Sequence, residues 1–257
     1  MPDDAALLPF SAHNVALPNG ERTIPGEILL EERPYPRAVM RSLELLFPAG
    51  GRGEERPTIV DLGCLEGGFT SLFAQAGFDA LGIEGREENV ARCELVAGRL
   101  GLPNLRFACD DVRNLESYGI FDVVFCSGLL YHLDFPVDFL ELVGRVAKRA
   151  LVLHTHVAGD MIPPKFPNLS ELATHEGVVG RWYPEHAEGQ SEEEMMASRW
   201  ASIGNRRSFW IEKRHLVEVL RRVGFSTVYE QHDFLSNVVD DNYVEDYGAC
   251  LLVAVRG

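Results

Sequence analysis

Lysine is nearly missing from this 257-residue chain: only Lys148, Lys165 and Lys213 occur, against 39 acidic residues, and the formal net charge is −15. A surface of that sign repels phosphate backbones on average, so composition argues against a nucleic-acid partner and leaves only local patches such as Arg206 and Arg207 to favour one. No apolar run is long enough to span a bilayer, and the opening MPDDAALLPF is acidic where a secretory leader is basic. The expectation is a cytoplasmic protein without a membrane partner. Cysteine is sparse and unpatterned. Cys64, Cys93, Cys109, Cys126 and Cys250 form no CxxC and sit mostly in apolar stretches, so neither a disulfide framework nor a zinc knuckle is expected. Internal repeats and low-complexity tracts are absent too.

What is present is an ordinary globular composition, 46% hydrophobic and 25% charged, sized for one sizeable core. Apolar runs at 58–62, 80–84, 105–109, 121–126 and 150–155 do not alternate, which reads as strands buried on both faces. Between them, 69–75, 87–100 and 136–146 read as helices, the last with Val137, Leu140, Val143 and Val146 on one side. Strand alternating with helix implies an α/β fold with a doubly wound, mostly parallel sheet. Residues 37–46 read as a further helix and 1–32 as an irregular arm. Towards the end, a helix at 211–223, a strand at 225–230, an acidic connection at 231–248 and a strand at 249–255 follow. The last two strands lack a crossover helix and so pair antiparallel. Residues 157–210 are rich in Pro, Gly, Glu and aromatics and fit neither period, the signature of a lid or insertion. The expected organisation is an arm and helix at 1–50 packing on or covering the site, and a main domain at 51–257 carrying the 157–210 lid.

The stretch IVDLGCLEGGFTSLFAQAG runs from strand through clustered glycines into helix, a backbone built to approach a ligand. A P-loop needs Gly-Lys-Ser/Thr, but Gly67-Gly68 is followed by Phe69-Thr70. A dinucleotide fingerprint needs GxGxxG, but Gly63, Leu65 and Gly68 fill those places, so the central glycine that admits pyrophosphate is lacking. S-adenosylmethionine remains: its methionine part lies on a Gly-rich turn and its ribose diol on a carboxylate ending the second strand. Asp61 and Glu84 stand where that carboxylate chemistry is needed.

From 59 to 139, and in its terminal hairpin, the chain resembles the class I S-adenosylmethionine-dependent methyltransferases. DLGCLEGG is similar to their first motif, with Leu65 in place of the central glycine; GIEGREENV resembles the second, CDDVRNL the third, and FDVVFCSGLLYHLDFP the fourth strand with its loop. The resemblance implies a seven-stranded sheet and cofactor contacts at Asp61, Gly63, Cys64, Glu66, Gly67, Glu84, Gly85, Arg86, Asp110, Asp111, Val112, Ser127 and Gly128. Glu84 would accept from both ribose hydroxyls, Asp110 or Asp111 from the adenine amino group, and the Val112 backbone would face a ring nitrogen. Taken singly, Glu84, Asp110 and Asp111 read equally as helix caps. Their joint placement at strand ends, where open parallel sheets bind ligands, favours the cofactor.

The acceptor is less marked. LLYHLDFP and RSFWIEKRHLVEVLRRVGF resemble segments of a group that includes the wobble-uridine carboxymethyl-forming tRNA enzyme, yet the acidic balance favours a small-molecule or carrier-bound acceptor. An NAD(P)-dependent oxidoreductase and a cofactor-binding module without turnover are the rival readings. Methyl transfer needs chiefly in-line alignment, and a base only where the acceptor loses a proton. Tyr131 and His132 follow the fourth strand directly, and His132 is a candidate base or else a loop-fixing histidine. In LHTHV, His154 and His156 share one face of a strand. With Glu185 or His186 they offer a metal set, set against one acid/base and one packing histidine; no metal is assigned. In the insertion, Trp182, Tyr183 and Glu185 are assigned to the acceptor, the aromatics Trp200, Phe209 and Trp210 being shared between a pocket and a lid core.

Overall fold

The computed structural model describes residues 9–48, 56–160, 162, 165–232 and 248–257. Most of the acidic connection expected at 231–248, and the first eight residues of the arm, lie outside the described residues. Two compact units divide the chain, Met1–Val112 and Arg113–Gly257.

In the first unit, residues 9–33 form the irregular arm, and α1 (Pro34–Leu46) begins on prolines whose missing N–H costs nothing in a first helical turn. Then come β1 (Thr58–Leu62), α2 (Gly68–Gln75), β2 (Asp79–Glu84), α3 (Glu87–Leu100) and β3 (Leu105–Cys109). β2 pairs in parallel with β1 and with β3. Ile59, Val60, Leu62, Ala80 and Ile83 are fully buried, as non-alternating apolar runs require. β3 departs from that expectation: it is the outermost strand and only Leu105 is buried along it. Glu87 and Glu88 open α3 and Arg99 sits in its last turn, each complementing the helix dipole, and Gly101 ends it in the left-handed region.

The second unit holds β4 (Phe121–Ser127), α4 (Pro136–Val146) and β5 (Ala147–His156), the two strands parallel. The segment that fits neither period contains a small antiparallel sheet of β6 (Ala173–His175), β7 (Val178–Pro184) and β8 (Arg207–Ile211), with a short α5 (Glu192–Ala197) capped by Ser191 between the last two. Ile211 therefore ends a strand, and the next helix, α6 (Lys213–Arg222), starts later than its apolar spacing suggests. β9 (Thr227–Glu230) and β10 (Ala249–Val255) complete the unit, β10 running antiparallel to β5 and β9. The main sheet is a mixed, mostly parallel seven-stranded one in the order β3-β2-β1-β4-β5-β10-β9. Among the described residues no helix is long and apolar enough to cross a membrane.

Candidate active site

The Gly-rich turn after β1 repeatedly visits the left-handed region, at Gly63 (φ 68°), Leu65 (φ 53°) and Gly67 (φ 73°). A side chain at Gly67 would meet the Phe107 ring at 2.6 Å, so that position requires glycine on both counts. Leu65 takes the same backbone region with a Cβ in place. Its N–H donates to Glu84 Oε2 at 3.0 Å, and the Arg86 N–H donates to Oε1 at 3.0 Å. Glu84, the last residue of β2, is thereby buried with both oxygens oriented by backbone donors, and each oxygen retains a lone pair for a further one. Gly85 and Arg86 follow, half-buried.

Asp61 is buried at the end of β1 and accepts from Thr70 Oγ1 at 2.6 Å. Burial pushes its carboxyl up to about 7, the Thr70 bonds opposing and the Glu84 charge adding to the rise. Asp110 donates its N–H to the Glu84 carbonyl at 3.1 Å, and its Oδ1 accepts the Asp111 N–H at 2.7 Å. Asp111 is exposed, and Val112 opens a 3-10 helical turn, Val112–Tyr118. Cys64 Sγ lies 3.9 Å from Cys93 Sγ, and burial raises the Cys64 thiol well above its usual range, which keeps it protonated and inert.

Glu66 does something other than what its motif position implies. Its carboxylate, fully buried, accepts from the backbone N–H groups of Ser11 (2.9 Å), Ala12 (3.0 Å) and His13 (2.9 Å), and Arg92 Nε lies 4.0 Å from Oε1. Arg92 in turn donates to the Pro9 carbonyl at 2.8 Å, and His13 Nδ1 accepts the Gly68 N–H at 3.1 Å. The carboxylate is engaged by the arm, which it ties to the turn.

In the second unit, Ser127 ends β4 and Gly128 (φ 74°) donates to the His154 carbonyl at 3.1 Å. The turn Leu130–His132 follows. Burial lowers His154 and His156 to about 4, leaving both neutral near pH 7 and weak as bases. His156 Nδ1 meets the Gly248 carbonyl at 3.1 Å and its ring stacks on Trp210 at 4.8 Å, the packing role. Burial pushes Tyr131 up to about 12, while its carbonyl accepts from Trp210 Nε1 at 2.9 Å.

His132 Nδ1 lies 3.0 and 2.9 Å from Glu185 Oε1 and Oε2. Glu185 also accepts from Ser208 Oγ at 2.7 Å and from the Ser202 N–H at 3.0 Å. His186 Nε2 meets the Ser202 carbonyl at 2.9 Å, and among the described residues no three His, Cys, Asp or Glu side chains gather as a metal would need. Trp182 and Tyr183 part company, because successive strand residues face opposite ways. Tyr183 stacks on Trp210 at 5.0 Å, whereas Trp182 packs on Phe209 at 5.0 Å and carries the Arg207 guanidinium at 4.0 Å. One pocket therefore does not take both. Ser202 and Ser208 carry no local signal in the sequence; the buried Arg181 donates to the carbonyls of Gly159, Asp160 and Ser170 and holds that loop.

A family model described as a methyltransferase domain matches residues 30–230. The chain belongs to that family. Among solved structures it is similar to the N-terminal domain of EvdMO1, crystallised in the presence of S-adenosylhomocysteine and D-fucose. Identity is 28% and the TM-score 0.65, over 93% of this chain and 88% of that one. It shares its fold with magnesium protoporphyrin IX methyltransferase of Synechocystis PCC 6803 with bound S-adenosylmethionine (16% identity, TM-score 0.55, 91% and 87% covered). The same holds for 1,6-didemethyltoxoflavin-N1-methyltransferase of Burkholderia thailandensis (16%, 0.55, 87% and 77%). A 23S rRNA (uracil(1939)-C(5))-methyltransferase of Thiobacillus denitrificans is 47% identical over 74 residues, 29% of this chain but only 16% of that protein.

The protein is thus a class I S-adenosylmethionine-dependent methyltransferase with S-adenosylmethionine as cofactor. The first unit suits that cofactor: its turn keeps the left-handed backbone even at Leu65, and Glu84 presents an oriented carboxylate at a parallel strand's carboxyl end.

Proposed function

We propose that this enzyme methylates a small-molecule acceptor by in-line displacement. Glu84 holds the cofactor ribose, with Asp61, Gly63, Cys64, Gly67, Gly85, Arg86, Asp110, Asp111, Val112, Ser127 and Gly128 as the remaining candidates for its contacts. Of the candidate catalytic groups, His132 is the base, while Tyr131, His154 and His156 shape the surroundings as neutral groups. The single observation behind the cofactor assignment is the Glu84 carboxylate, buried at a strand end and fixed from both sides by the N–H groups of Leu65 and Arg86. A formal charge of −15 and the 28% identity with the EvdMO1 domain, crystallised with D-fucose, support a small acceptor over a nucleic acid. Residues 1–50 serve as a cover for the cofactor turn, a reading supported by the Glu66 clasp on the arm. Residues 157–210 serve as the acceptor lid, with Tyr183 the better placed of the two aromatics.

Calorimetric titration with S-adenosylhomocysteine tests this reading. The wild-type protein binds, and Glu84→Ala, still folded, binds more weakly by roughly 2–4 kcal/mol as two charge-assisted hydrogen bonds vanish. Unchanged affinity in the variant would remove the basis for the assignment.

A further inference from the structure

His132 stands just past the carboxyl end of β4 with its side chain 19% exposed, and among the described residues its Nε2 has no hydrogen-bond partner. Nδ1 is held between the two oxygens of Glu185, whose side chain is only 1% exposed. A carboxylate only accepts, so Nδ1 carries the hydrogen and Nε2 presents a lone pair. Ser208 Oγ and the Ser202 N–H take up further capacity of the same carboxylate and lock its plane. Asn205 Nδ2 fixes the turn itself by donating to the His132 carbonyl at 2.9 Å. A proton acceptor oriented by a buried, fully engaged carboxylate is the arrangement of a base and its orienter.

The groups around the ring point the same way. Glu185 faces it from the residue after β7, Tyr131 lies 4.3 Å away ring to ring, and His156 of β5 also faces it. Burial keeps Tyr131 (about 12) and His156 (about 4) neutral near pH 7, which leaves Glu185 as the group that orients the ring.

Resting on the methyl-transfer reading above, we propose that Glu185 is a positioning residue that makes His132 the general base for a hydroxyl acceptor. A carboxylate acceptor is already ionised, a thiol loses its proton near pH 8.5 unaided, and an amine attacks through the lone pair of its neutral form. An alcohol or phenol keeps its proton until attack and needs a base at that moment. In the step, the acceptor oxygen forms a bond to the methyl carbon while the carbon–sulfur bond breaks with its electron pair left on sulfur. The hydroxyl proton passes to His132 Nε2, and the imidazolium returns it to solvent after product leaves. Glu185 gains no proton.

The first test needs no acceptor. In protein saturated with S-adenosylhomocysteine and labelled with 15N-histidine, His132 shows the Nδ1–H tautomer, and Glu185→Gln weakens that preference while Glu185→Asp keeps it in part. An Nε2–H tautomer, or a tautomer preference indifferent to Glu185→Gln, overturns the proposal. The second test uses 13C-methyl-labelled cofactor with D-fucose, other free sugars and catechol as hydroxyl probes, and with benzylamine as an amine probe. Oxygen-linked methyl product is expected, with kcat lowered roughly 10²–10⁴-fold by His132→Asn and KM little changed. Nitrogen-linked product only, or no turnover of any hydroxyl probe by protein that binds the cofactor, overturns the hydroxyl acceptor. Failure to bind S-adenosylhomocysteine at all strikes the methyl-transfer reading instead.

Discussion

Thr70 grips the Asp61 carboxyl twice, through its hydroxyl at 2.6 Å from Oδ2 and through its backbone N–H. Burial nevertheless wins over these bonds and lifts the acid from 3.8 to about 7. The folded protein therefore keeps a proton that the unfolded chain sheds, so this contribution to stability is complete below about pH 4 and is lost as pH rises through about 7. Asp61→Asn, which still accepts from Thr70, abolishes the loss. Urea unfolding without cofactor is expected to show the variant gaining on wild type by about 2–3 kcal/mol between pH 5 and pH 8. A constant difference across that range would contradict the buried-acid account.

At Leu65, the left-handed backbone (φ 53°) costs a residue with a Cβ about 1–2 kcal/mol, and a β-branched side chain more. Leu65→Gly removes that strain but adds unfolded-chain entropy and loses a half-buried side chain, so its stability stays within about 1 kcal/mol of wild type. Leu65→Val is expected to fall below Leu65→Gly by about 1–2 kcal/mol in denaturant midpoints. The reverse order would show that the turn has another conformation.

Removing the Glu66 clasp strands three backbone donors. For Glu66→Ala, amide exchange at Ser11, Ala12 and His13 accelerates by roughly 10²-fold, equivalent to about 3 kcal/mol of local stability. The amides of β1 change much less. Unaltered protection at 11–13 would mean that the arm is held by its apolar contacts instead.

Trp182 and Tyr183 separate stability from acceptor recognition. Trp182→Ala strips the packing of Phe209 and Arg207 and lowers stability by about 1–3 kcal/mol. Tyr183→Ala, on the Trp210 face, raises the KM of a hydroxyl probe severalfold and costs less stability. Equal effects on KM from both variants would argue against the divided faces.

The parts legible in the sequence are those governed by local periodicity. Helices Glu87–Leu100 and Pro136–Val146 fall where apolar spacing and end signals place them, and the closing antiparallel pair follows from the missing crossover. The place of Glu84 at a strand end was readable because it is itself local. Glu66, two residues before Gly68, looks equally like a ligand in the motif, but its partners lie 53 to 55 residues away and no local pattern announces them. The His132–Glu185 pair spans 53 residues for the same reason. In the 157–210 segment, strands of three to seven residues with a charged residue among aromatics are too short to declare a period.

The three-stranded sheet assigns opposite duties to adjacent residues of one strand. Arg181 and Tyr183 serve one side with Trp210 and Ser208, and Trp182 serves the other with Phe209. Insertion or deletion of a single residue upstream in β7 would exchange the two sides wholesale, moving Trp182 to the Trp210 side and Glu185 off its histidine. Chain length in this strand is consequently as constrained as its chemistry.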